Sequence, residues 1–150
     1  MINVRDKKEC VGCTACAQSC SFGAIVMTED SEGFLYPAVQ SSVCTGCGEC
    51  KKVCPLQTPE PQCVPTAIYA AFNRDEAVRM KSSSGGVFFA LSQSIIERSG
   101  VVYGAAFDEQ FQVKHRRADS MTSCETFRGS KYVQSFLGDT FQAVRADRSA

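Results

Sequence analysis

Long apolar runs are missing from this chain. A membrane helix needs roughly 18 to 20 apolar residues, and the longest pieces here are Ala67–Phe72 and Val87–Leu91, so no membrane span is expected. A secretory leader is missing as well: Arg5, Asp6, Lys7, Lys8 and Glu9 stand where its apolar stretch would be, which points to the cytoplasm. There is no excess of either charge. Sixteen basic residues cancel sixteen acidic ones, so no global field favours nucleic acid or an anionic membrane. Histidine is reduced to His115, set among charged neighbours in Val113–Arg117 and read as an exposed strand edge without a chemical role. Beyond Cys63, cysteine falls to Cys124 alone.

What is present is a globular composition, 44% hydrophobic and 21% charged over 150 residues, enough for one domain or two small ones. Nine of the ten cysteines lie between Cys10 and Cys63. A reducing compartment does not keep so many as disulfides, and metal ligation is the default reading. Pro55, Pro59, Pro61 and Pro65 mark a seam, because proline lacks an N–H and fixes its φ. The expected organisation is a first domain at 1–56, a semi-rigid linker at 57–66 and a second domain at 67–150.

The first domain is a repeat. Cys10, Cys13, Cys16 and Cys20 recur as Cys44, Cys47, Cys50 and Cys54, every one at the same displacement along the chain. Between the copies, 23–27 and 33–39 read as two short strands joined by a polar turn at 28–32. So small a module has little core of its own, and bound metal would staple it. In the second half, a buried strand is expected at 68–72, then a short helix at 75–80. A longer helix is expected at 87–98, capped by Ser84 and ended by a left-handed Gly100, with Phe88, Leu91 and Ile95 in the core. Strands at 101–107 and 111–116 and helices at 120–127 and 140–145 complete the pattern, with Tyr36, Tyr69 and Tyr103 as strand packing.

Both cysteine runs resemble those of bacterial ferredoxins with two clusters, in which the fourth cysteine of each run ligates the other cluster. Three thiolates spaced by two residues wrap three corners of a cubane, and the fourth is free to reach its neighbour. On this reading Cys10, Cys13, Cys16 and Cys54 hold one 4Fe-4S cluster, and Cys44, Cys47, Cys50 and Cys20 hold the second. Gly12, Thr14, Gly46 and Gly48 are small enough to let backbone N–H groups approach sulfur. Ser21 follows Cys20 where Pro55 follows Cys54, a departure that removes a stiffener and no ligand. Structural zinc would leave the third and fourth cysteine of each run unexplained. Cys63 and Cys124 are read as a linker thiol and a small buried hydrophobe.

Three segments of the second half, Ser83–Phe88, Gly100–Phe107 and Arg128–Ser135, occur in an order and spacing that resemble the N-terminal region of the coenzyme F-420 hydrogenase/dehydrogenase beta subunit family, behind a two-cluster ferredoxin domain. The resemblance covers nearly the whole chain. It implies an α+β protein: a ferredoxin-like two-cluster 4Fe-4S module followed by a partial α/β domain of flavin-binding type. It further implies an iron–sulfur flavoprotein, with FAD as cofactor, coenzyme F-420 or another diffusible acceptor as partner, and a redox protein or subunit on the other side. Family members continue past this length, so the chain is expected to be a fragment with an incomplete flavin pocket.

The residues offer their own, weaker case for a phosphate site. Ser83, Ser84, Gly85 and Gly86 open a helix whose free N–H groups and positive dipole end suit an anion; an ordinary capped helix is the alternative. Gly129, Ser130, Lys131 and Tyr132, with Arg128 before them, offer two cations, a turn and a ring, as a clamp or as a solvated basic turn. The preferred function is electron transfer through the clusters to a flavin-dependent oxidoreductase. The alternatives are a ferredoxin module without flavin or catalysis, and a metal-stapled interaction domain.

Overall fold

The computed structural model describes residues 1–59 and 64–149; Cys63 and part of the expected linker lie outside them. The chain forms two units, Met1–Val64 with Phe141–Arg145, and Pro65–Thr140 with Ala146–Ala150. Both mix short helices with a small sheet. No helix among the described residues is long and apolar enough to cross a membrane.

In the first unit the sequence repeat is a backbone repeat. Helices α1 (Ala15–Gln18) and α2 (Glu49–Lys52) are each one turn long and occupy equivalent places in the two copies. Each starts from a left-handed residue, Thr14 at φ 61° and Gly48 at φ 83°. Two positions earlier, Gly12 and Gly46 repeat the conformation at φ 62° and 74°. These loops turn too tightly for ordinary side chains, which is why three of the four positions are glycine. Thr14 is the exception, its hydroxyl accepting from Gln18 Nε2 at 2.7 Å.

Strands β1 (Ile25–Glu29) and β2 (Leu35–Val39) pair antiparallel, from Ile25↔Val39 to Glu29↔Leu35. Pro37 is tolerated because a two-stranded ribbon has only edge strands. The turn lies two residues later than expected, beginning at Asp30, whose carboxylate accepts from the amides of Glu32 (2.9 Å) and Phe34 (3.0 Å) and pairs with Lys7. Among the described residues the core cluster of this unit is Ile2, Cys16, Ile25 and Cys50, with Ala24 also buried.

The second unit runs α3 (Glu76–Met80), α4 (Val87–Ile96), β3 (Val102–Phe107), β4 (Val113–Ala118) and α5 (Met121–Glu125); of the last helix, α6 (Thr140–Asp147), residues 141–145 belong to the first unit. Strands β3 and β4 pair antiparallel from Val102↔Ala118 to Phe107↔Val113. Asp108 closes their turn, accepting from the amides of Gln110 and Gln112 and forming an ion pair with Lys114 Nζ at 2.7 Å. Ala106, Ala118, Cys124 and Phe127 form the core, with Ile96, Val102 and Met121 against it.

Several expectations for this unit are corrected. Residues 68–72 form no strand: Ile68, Tyr69 and Phe72 are 87%, 86% and 69% exposed. An apolar run becomes a strand only where a sheet edge receives it, and among the described residues this run meets none. Helix α4 has the expected period but buries another face. Phe88, Leu91 and Ile95 are exposed, whereas Ser92 is 3% exposed and Ile96 packs on the core. A buried serine is tolerated because its hydroxyl meets the thiol of Cys124, itself 1% exposed.

Ser84 does not cap α4, which starts from left-handed Gly86 without a side-chain cap. At its C-terminus Ser99 at φ 60° is the left-handed residue. The amides of Ser99 and Gly100 then reach the carbonyls of Ile96 and Ile95, both at 2.9 Å, in a Schellman closure. Glycine is needed at position 100 for room, since a Cβ there would sit 2.7 Å from Ile95 Cγ2. His115 is not at a free edge: its amide donates to Phe136 O at 2.9 Å and Nδ1 lies 2.9 Å from Ser135 Oγ.

Candidate metal centres and a second cavity

The third cysteine of each run, Cys16 and Cys50, sits on a one-turn helix and is buried. The fourth, Cys20 and Cys54, comes after that helix has ended. In a continuing helix a residue four places on would share the face of its predecessor; ending the helix early releases it to another direction. The consequence is visible in two cavities. One, about 400 Å³ with its mouth included, is lined by Cys10, Cys13, Cys16 and Cys54 together with apolar groups such as Ile2 and Met27. The other, about 350 Å³, is lined by Cys44, Cys47, Cys50 and Cys20 with Phe22 and Val39 among its walls. Each cavity thus takes three cysteines from one run and one from the other.

The donors suit iron–sulfur cubanes. Among the described residues no three Cys, His, Asp or Glu side chains gather around one point as a single ion would require; a cubane asks only that each thiolate reach its own iron. Backbone amides approach the sulfurs: Ile2 N donates to Cys50 Sγ at 3.1 Å, Ala24 N to Cys20 Sγ at 3.3 Å and Gly12 N to Cys10 Sγ at 3.4 Å. Such bonds favour the anionic, ligating form of the sulfur. Burial pushes the Cys16 thiol up to about 11. Alone it stays protonated at neutral pH, and a bound cation is what deprotonates a thiol in such a place.

The second unit holds an open cavity of about 330 Å³ that gathers Ser83, Ser84, Gly85 and Gly86 from the loop before α4 with Gly129 and Ser130. Gly85 packs against the Ala71 carbonyl, where a Cβ would come to 3.0 Å. Two residues of the expected clamp lie elsewhere. Lys131 Nζ turns back to the carbonyls of Arg128 (2.8 Å) and Thr126 (3.2 Å), and burial lowers its pKa. Tyr132 is 94% exposed.

The cation on the cavity wall is Arg128, counted from sequence only as one of two charges. Its side chain is 10% exposed, pairs with Glu125 at 2.8 Å, donates to Val78 O at 3.3 Å and stacks 4.2 Å over the Phe89 ring. The Glu125–Arg128 spacing of three was the signal available, since it makes the arginine a held group.

Residues 9–58 match the family model of the 4Fe-4S dicluster domain. A search of curated proteins returns no match. The N-terminal region is therefore a 4Fe-4S dicluster domain, built for iron–sulfur electron transfer, and domains of this kind usually pass electrons to partner proteins.

Proposed function

We propose that this chain is an electron relay: two 4Fe-4S clusters in the first unit, one on Cys10, Cys13, Cys16 and Cys54 and one on Cys44, Cys47, Cys50 and Cys20, feeding a flavin held by the second. The observation that carries the reading is the exchange of fourth cysteines between the two cavities. Ligands exchanged in this way would hold the two clusters close together, as hopping between them needs. Bound clusters supply single-electron transfer; the chain supplies thiolates, amide N–H groups on sulfur and apolar walls that exclude water.

For the flavin, the support is the cavity that brings Ser83, Ser84, Gly85, Gly86, Gly129 and Ser130 together, with Arg128 in its wall. The serine–glycine loop would receive phosphate oxygens on backbone N–H groups at the start of α4, and Arg128 would face the same charge. FAD, when bound, supplies the exchange between one-electron and hydride chemistry, with coenzyme F-420 or another diffusible carrier as acceptor, in keeping with the resemblance of the second half. Lys131 and Tyr132 fall outside that cavity, which keeps in view the second reading, a ferredoxin module without flavin.

Anaerobic reconstitution with iron and sulfide, followed by FAD titration, tests both levels. About eight irons and matching acid-labile sulfide per chain are expected for two cubanes, with FAD retained through gel filtration. Eight irons without flavin would leave the ferredoxin reading; tight zinc without sulfide would overturn both.

A further inference from the structure

The charge balance of the whole sequence hides a local gathering of cations in the first unit. Arg5 and Lys8, from the N-terminal segment, and Lys51, from α2, line one open groove with Glu9, Leu56 and Gln57. The fold makes this patch from segments that lie far apart in the sequence, on either side of the β1–β2 hairpin. Its floor is tied down: Gln57 Nε2 donates to Asn3 O at 2.8 Å, and Thr58 Oγ1 donates to Lys51 O at 2.9 Å. Arg5, Lys8 and Lys51 are all exposed. Among the described residues Arg5 and Lys51 have no carboxylate partner, and Lys8 meets only Asp6, at 3.9 Å with both side chains largely in water.

The groove adjoins one of the two cysteine cavities. Leu56 and Glu9 line both the groove and the cavity of Cys10, Cys13, Cys16 and Cys54. Leu56 is 47% exposed, so a molecule in the groove can touch a side chain that also walls that cavity.

We infer that this groove is the docking surface for an acidic segment of a protein electron partner, placing that partner against the Cys10–Cys54 site. The inference rests on the cluster reading above. Cations with little internal compensation attract an anionic surface and speed its encounter. The one carboxylate, Glu9, sits beside Leu56, where it disfavours a continuous phosphate backbone, so a protein surface of mixed composition fits better than nucleic acid.

The test uses the full chain after anaerobic reconstitution, with iron and sulfide counted first. The probe is a fluorescein-labelled peptide of alternating Glu and Gly, followed by anisotropy, with a single-stranded DNA oligomer in parallel. Binding of the peptide is expected to weaken as salt rises from roughly 0.05 to 0.2 M, and to fall about tenfold or more in the Arg5→Glu/Lys51→Glu double variant. The visible cluster spectrum should stay unchanged in that variant, and Lys81→Glu, an exposed change in the second unit, should bind as wild type. A full complement of iron and sulfide with peptide binding unaltered in the double variant would overturn the docking surface alone, as would preference for the DNA. Absence of iron and sulfide would overturn the cluster reading and the inference with it.

Discussion

Cys20 and Cys54 occupy equivalent places in the repeat, yet the cavities assign them to opposite partners. Substituting either one therefore has a directional consequence. Cys20→Ala is expected to remove the cluster on Cys44, Cys47 and Cys50, leaving about four irons per chain and the EPR signal of the other cluster; loss of the Cys10–Cys16 signal instead would contradict the exchange. Residue chemistry also separates the two cations of the 128–132 segment. Lys131 spends its ammonium on backbone carbonyls, while Arg128 lies in the cavity wall. Arg128→Lys keeps the charge but loses the planar fork, and should weaken FAD binding by about 1.5–3 kcal/mol. Lys131→Ala should change it little, and isothermal titration of both variants distinguishes them.

At the scale of the element, close packing rather than propensity decides the second unit. A Cβ on Gly104 in β3 would lie 2.5 Å from two ring atoms of Phe127, which is 9% exposed and part of the core. Gly104→Ala should therefore cost about 1–3 kcal/mol, visible as a lowered Tm that a second change, Phe127→Leu, partly restores. The turn between β3 and β4 carries a pH dependence. Lys114, and next the Gln112 amide, hold the Asp108 carboxyl below the usual carboxylate range. The stability it contributes is complete above the unfolded value of about 3.9 and disappears as pH falls through the lower folded value. The Tm deficit of Asp108→Asn should be largest near neutral pH and close as pH falls below the unfolded value of about 3.9 and through the lower folded one. These elements also show what was legible in advance. The cysteine spacing and the hairpin could be read because ligands and turns act over a few neighbouring residues. The inner face of α4 was not, since Ser92 is buried by the thiol of Cys124, far along the chain, and no local period reports that. Arg128 was passed over for Lys131 for the same reason: both are cations in one turn, and only packing against Phe89 and Glu125 tells them apart.

Across the whole molecule the two units are stabilised by unlike means, and removing metal should expose the difference. Half of the buried core cluster of the first unit is cysteine, Cys16 and Cys50, beside Ile2 and Ile25. So small an apolar core contributes little by itself, and metal binding then becomes folding free energy. The second unit has a core without candidate cluster ligands, Ala106, Ala118, Cys124 and Phe127, so its stability is expected not to depend on iron. Stripping the reconstituted protein with a chelator under oxidant should therefore abolish amide protection in β1 and β2, residues 25–29 and 35–39, while β3 and β4, residues 102–107 and 113–118, exchange as before. Hydrogen exchange read by mass spectrometry resolves these peptides separately. Persistence of protection in the first hairpin after all iron is gone would mean that Ile2, Ile25 and the partly buried Met27 and Val39 suffice to hold it, and the clusters would then be passengers on a preformed scaffold instead of its staples.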